Sequence, residues 1–159
     1  MPFRVVDGDL LEQPADAIVN AWNRNVIPWW LLIPQGVAGA IKRRAGLAPF
    51  RELARHGPIA LGEAVVTGAG RLACRAIIHV AGIDLWWRAS ERSIRGSVRS
   101  AVALAVAQGH ARLAMPVIGA GSGGFGEAAA LALILDELRR LDAAIDVTVV
   151  RYRRRIVRA

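Results

Sequence analysis

Six short, nearly continuous apolar runs, alternating with stretches of helical period, constrain this chain more than any other feature. They are "FRVVDGD", "AIVNAW", "EAVVTGAG", "RAIIHVAG", "ARLAMPVIG" and "DVTVVRY", most of them bounded by glycine. Runs of that length and character read as buried strands. Between them, "GVAGAIKRRAG" predicts a helix from about Val37 closed by Gly46, and "PFRELARHG" a second helix with proline at its start and Gly57 at its end. "SERSIRGSVRSAVALAVAQG" predicts a long amphipathic helix with Ser90 as N-cap and Gly109 at its end, and "FGEAAALALILDELRRL" one with an acidic first turn and a basic last turn. Strands alternating with helices imply an α/β layered domain with a largely parallel sheet. In such sheets ligands bind at the carboxyl ends of the strands, where loops meet helix N-termini.

Two of those loops carry chemistry. In "PVIGAGSGGFGEAAA", Gly119, Gly121, Gly123 and Gly124 follow a buried strand and precede a helix. Glycines there let the backbone approach a ligand and turn N–H groups toward it, and the helix N-terminus adds partial positive charge. The loop therefore suits a phosphate, although a tight strand–helix turn would also use glycine. It lacks the Lys-Ser/Thr of a Walker loop, and it falls too late in the chain for a dinucleotide fingerprint. The second stretch, "VVDGDLLEQPADAIVNAWN", places Asp9 after the first strand and Asn20 and Asn23 at the end of the next. Asparagine donates and accepts, which suits a ribose hydroxyl; a carboxylate suits an exocyclic amino group.

At 159 residues, with 54% hydrophobic residues, the chain reads as a single domain, 1–159, with its own core and a basic tail from about residue 153. Cys74 is the only cysteine, so no intramolecular disulfide forms, and it reads as a small hydrophobe. No apolar run approaches the roughly 18 residues of a membrane span. "MPFRVVDGDL" has no leader pattern, so a cytoplasmic location is expected. The net charge of +8 is almost all arginine, Lys42 being the single lysine. It favours a polyanionic ligand, and direct nucleic-acid binding stays open as a weaker reading because no base-reading motif accompanies it. No His/Cys spacing suggests a metal, no cofactor is called for, and His79 reads as a core histidine.

The ordered set "GDL…DAIVNAWN…GVAGAIKRRAG…IIHVAG…PVIGAGSGGF" resembles the macro domain, the ADP-ribose-binding fold, over about Val5 to Tyr152. The resemblance implies a three-layer α/β/α architecture with a mixed, largely parallel sheet of about six strands. It also implies the ligand contacts. Asp9 matches the acceptor of the adenine amino group and Leu10 its neighbour beside the base. Asn23 matches the asparagine on the distal ribose, the one catalytic candidate, and Asn20 a structural asparagine of the same motif. Gly36 and Val37 match the end of a first glycine-rich loop, and Gly119, Ala120, Gly121, Ser122, Gly123 and Gly124 the diphosphate loop. Phe125 matches an aromatic on the distal ribose. Tyr152 falls where an aromatic often stacks on adenine, or is simply an edge-strand residue.

Two departures from the family stand out. Ala38 replaces an aspartate often assigned a catalytic role, so no carboxylate from that position can orient water. Between Asn23 and Gly36 the usual short polar loop is replaced by "RNVIPWWLLIPQ", in which Trp29 or Trp30 would wall the ribose pocket, or both would pack inward or form a dimer contact. Trp86 and Trp87, in "DLWWRASE", would join that wall or pack under their own loop. The resemblance implies a bacterial-type hydrolase that removes ADP-ribose from modified macromolecules. Protein Asp/Glu esters come first, with nucleic-acid-linked ADP-ribose next; the alternatives are a non-catalytic reader and an O-acetyl-ADP-ribose deacetylase. Its partners would be ADP-ribose and ADP-ribosylated protein or nucleic acid, with no membrane and no obligate protein partner.

Overall fold

The computed structural model describes residues 1–33 and 35–153; the tail expected from about residue 153 lies, beyond Arg153, outside the described residues. Six strands form one mixed sheet: β1 (Phe3–Gly8), β2 (Ala17–Trp22), β3 (Ala64–Gly68), β4 (Ala76–Ala81), β5 (Arg112–Pro116) and β6 (Asp146–Tyr152). Their order across the sheet is β1-β6-β5-β2-β4-β3, and every neighbouring pair is parallel except β3 with β4. All strands but β3 therefore end at one edge.

Alternate residues of each strand serve opposite layers, as the pleat requires. Val19, Ile78, Val80, Met115 and Val149 pack with α3 (Glu91–Ala107) and α4 (Glu127–Arg140). Ile18, Ile77, Ala81, Ala114 and Val150 pack with α1 (Gly36–Ala45) and α2 (Ala48–Arg55). The three-layer mixed α/β architecture expected from the family resemblance is the one observed. The helix signals also hold: Ser90 caps α3 through a reciprocal pair, its Oγ accepting from Ser93 N at 3.1 Å while Ser93 Oγ accepts from Ser90 N at 2.9 Å. Helix α1 starts one residue earlier than its periodicity suggests, at Gly36. Two single turns of 3-10 helix, Leu10–Glu12 and Trp29–Leu31, carry no periodic signal and are additions to the expected elements.

A polar pair sits inside the central strands. Asn20 and His79 are register partners on β2 and β4, and Asn20 Nδ2 lies 3.0 Å from His79 Nδ1. Thr67 Oγ1 donates to Gly68 O at 3.0 Å and lies 2.8 Å from His79 Nε2. The hydroxyl's single hydrogen is spoken for, so Nε2 carries the imidazole proton and Nδ1 accepts from Asn20. Burial, with a smaller push from His56, lowers the His79 pKa to about 3. His79 is thus a neutral core histidine, and Asn20 a structural partner to it.

Candidate functional site

The carboxyl edge opens into a cleft of about 340 Å³, bounded by the ends of β2, β4 and β5, the start of α1 and the loop between β5 and α4. The loop after β5 is compact because of two glycines. Gly119 has φ of 91°, and a Cβ there would lie 2.9 Å from Ile94 Cδ1 and 3.0 Å from Ala89 Cβ. A Cβ on Gly123 would lie 2.8 Å from both Ala89 Cβ and Gly119 O. Side chains at either position would push the loop off the start of α3. The loop then folds on itself, Phe125 N donating to Gly119 O at 3.0 Å and Gly124 N to Gly121 O at 3.2 Å, while Ala89 N clamps it through Gly123 O at 3.0 Å.

After those bonds, the N–H groups of Gly121, Ser122 and Gly123 donate to no acceptor among the described residues. All three residues line the cleft, as do Gly36, Val37 and Ala38 at the first turn of α1. Gln35, the N-cap of α1, makes no side-chain capping bond, so the positive end of that helix is directed at the same space. No lysine, arginine, aspartate, glutamate, histidine or cysteine is among the lining residues described. An anion in this cleft would be held by backbone dipoles alone, as at other helix N-termini and nests.

Asn23 is buried and lines the same cleft. Its Oδ1 accepts from Asn25 N at 2.7 Å, which leaves the Nδ2 group without a partner among the described residues. The amide therefore offers donors to the cleft. Asn25 sets this arrangement and was not singled out by sequence. Its backbone is left-handed (φ of 56°), its Nδ2 donates to Leu53 O and Gly57 O at 2.9 Å each, and its Oδ1 accepts from Trp22 Nε1 at 3.3 Å. Asparagine tolerates that conformation better than most residues. The signal was present in its type, but only the fold supplies its four partners.

The remaining candidates lie elsewhere on the edge. Gly8 pairs with Tyr152, so Asp9 and Tyr152 adjoin at the β1/β6 end, outside the cleft's lining. Asp9 caps the Leu10–Glu12 turn, its Oδ1 accepting from Leu11 N at 2.8 Å, and its Oδ2 lies 3.3 Å from Arg44 Nη1. Leu10 is buried in the α1/α2 core, and the Tyr152 ring is largely exposed. Ala120 and Phe125 pack against the other core, and Gly124 completes the loop at φ of 67°. Trp29 is half-buried, its ring centroid 6.2 Å from Phe50 and 5.1 Å from Lys42 Nζ, and Trp30 faces solvent; neither is among the lining residues. The long apolar segment contributes Leu32, Ile33 and Gln35 to the lining instead, and the facing loop contributes Trp87. Cys74 is half-buried and distant from the cleft, and burial raises its thiol pKa.

The chain is similar to known proteins along most of its length. Residues 19–134 match the family model described as Macro domain. A Citrobacter rodentium protein named O-acetyl-ADP-ribose deacetylase is 34% identical over 86% of this chain and 77% of its own length. An Oceanobacillus iheyensis macrodomain structure with ADP is 25% identical and superposes with a TM-score of 0.81 over 95% of this chain and 83% of that one. A Trypanosoma brucei macrodomain in complex with ADP-ribose is 26% identical, with a TM-score of 0.80 over 94% of this chain and 63% of that one. The family model and the superpositions agree along most of the chain, and the chain belongs to the macro domain family.

Proposed function

We propose that the cleft binds ADP-ribose and that the protein hydrolyses conjugates ester-linked to its distal ribose: carboxylate esters on protein Asp or Glu side chains, and O-acetyl-ADP-ribose. The observation that carries this reading is the group of open N–H donors at Gly121, Ser122 and Gly123 on the same cleft as the free Nδ2 of Asn23. The loop amides and the positive end of α1 would take the diphosphate. Asn23 would hold the distal ribose and a water, and Asp9, Leu10 and Tyr152 lie at the end expected for adenine. A deacetylase among the relatives and ADP-ribose in a related macrodomain support the same assignment.

Hydrolysis adds the oxygen of water to the acyl carbon or to the anomeric carbon. The ester C–O bond breaks, and ADP-ribose and a carboxylic acid leave, the water's protons divided between them. No ionisable side chain lines the described cleft, so positioning and preorganised dipoles would supply the acceleration. The test is turnover of O-acetyl-ADP-ribose and of a Glu-linked ADP-ribosyl peptide, Arg-, Ser- and nucleobase-linked conjugates being run beside them. Asn23→Ala is expected to lower kcat/KM on the order of 10²-fold. Labelled water would mark the carboxylate after acyl attack, or ADP-ribose after anomeric attack.

The missing carboxylate at Ala38 favours a second reading, a module that binds ADP-ribose without cleaving it. Tight calorimetric binding with turnover no faster than the spontaneous rate would decide for that reading.

A further inference from the structure

We infer that, among the esters the cleft would take, it favours those with an apolar acyl chain longer than acetyl, the chain lying between Trp87 and Ile33; this rests on the reading that ADP-ribose occupies the cleft with its distal ribose at Asn23. The strand order gives the ligand a direction. Asp9 and Tyr152 stand at β1 and β6, the anion-holding loop follows β5, and Asn23 follows β2. Neighbouring strands are about 4.8 Å apart, so each step along the edge advances by roughly one chemical unit of such a ligand. The next strand is β4, and whatever is attached beyond the ribose meets the loop that follows it.

That loop presents Trp87 and Ile83 to the cleft, and the segment across from it presents Leu32 and Ile33. Ile33 is 89% exposed, an isoleucine standing in water at the mouth of a site. Trp87 has φ of 61°, a conformation that bulky residues seldom adopt. Such a backbone persists only where the surroundings over-determine it. Asp84 does so: its Oδ1 accepts from Trp86 N at 2.8 Å and Arg88 N at 3.0 Å, and its carbonyl accepts from Trp87 N at 3.1 Å. A loop pinned this tightly to hold an indole on the cleft indicates a ligand contact. With no charged side chain among the described lining, a charged acceptor would find no counter-ion there, whereas an alkyl chain would cover apolar surface. Each buried methylene is worth about a fourfold gain in affinity.

The experiment is competition against labelled ADP-ribose by non-hydrolysable amide analogues of acyl-ADP-ribose, from acetyl through propionyl and butyryl to hexanoyl. Affinity is expected to rise about 16-fold from acetyl to butyryl. Trp87→Ser and Ile33→Ser should each flatten that rise, and Ile33, being exposed, tests it even where the tryptophan change disturbs folding. A flat or falling series while ADP-ribose itself binds overturns this inference alone. Failure of ADP-ribose to bind overturns the cleft reading and this inference together. A rising series with no ester turnover leaves the acyl site standing and removes the hydrolase.

Discussion

The chain contains the dipeptide Trp-Trp twice, and the two copies meet opposite fates. In the first, Trp29 turns inward onto Phe50 beneath Lys42, and Trp30 is 66% exposed. In the second, Trp86 is 76% exposed and Trp87 is held against the cleft in a left-handed backbone. Both loops sit at the same edge of the sheet, and both look like apolar surface in the sequence. What separates them is backbone geometry. The first pair lies in a 3-10 turn and drops one ring onto a core aromatic; the second lies in a loop locked by Asp84, which aims one ring at the ligand space. One inner ring packs on the core and the other lines the cleft.

The contrast can be broken most forcefully through acid. Trp29 packs on Phe50, and Phe50 meets His79 edge-on at 6.2 Å, so the first pair roofs a buried neutral imidazole. Burial lowers the folded-state pKa of His79 from 6.5 to about 3. The unfolded chain takes up a proton that the folded chain refuses, so this stability is complete above pH 6.5 and is lost as pH falls toward 3. The unfolding free energy from denaturant titration should decline by up to about 1.4 kcal/mol per pH unit below 6.5 from this group. His79→Gln should flatten that slope, and an unchanged slope would detach the imidazole from acid stability. Asp16, whose pKa is lowered chiefly by its hydrogen bond from Arg112, adds its own loss as pH falls below its ordinary value of 3.8.

Trp29→Ala is expected to destabilise the fold by about 2 kcal/mol, as large-to-small changes at half-buried sites do, with ADP-ribose affinity retained. Trp87→Gly should change stability by less than about 1 kcal/mol, because releasing the strained φ offsets the added freedom of the unfolded chain. It should weaken acyl-ADP-ribose binding all the same. Fluorescence quenching by a non-hydrolysable butyryl-ADP-ribose analogue is expected to survive Trp29→Phe and Trp30→Phe and to fall in Trp87→Phe, Trp22 being the other tryptophan on the cleft; quenching unchanged in all three would remove the distinction. Trp30→Ser and Trp86→Ser should each stay within about 0.5 kcal/mol of the parent in thermal denaturation.

The layers were legible because buried strands leave continuous apolar runs and helices leave caps: Ser90, Gly46 and Gly109 all mark real ends. The antiparallel placement of β3 was not legible, because "AVVTG" carries the same apolar pattern in either direction, and its pairing with β4 is made through the connection that follows it, residues 69–75. At the site, the Gly119–Gly124 stretch announced itself, since close backbone approach demands a residue without a side chain. Ile33 and Gln35 did not, because their arrival at the cleft depends on loop dihedrals that residue type does not encode; Trp87 stood as one of two readings, pocket wall or local packing, and the fold puts it on the lining. Asn25 was not singled out, although its backbone N–H holds the amide oxygen of Asn23.

The placement of β1 has a temporal consequence. The sheet's earliest strand in chain order, β1, touches only β6 in the sheet, and the ion pair between Asp7 and Arg151 joins residues 144 positions apart. Contacts of such separation form late, after the intervening chain has been made and collapsed. The β1/β6 end of the binding edge is therefore the last part to be assembled, and a nascent chain halted before Asp146 lacks it. What waits on the final strand is the Asp9/Tyr152 end alone, because the residues that line the cleft all lie between Ala21 and Gly123.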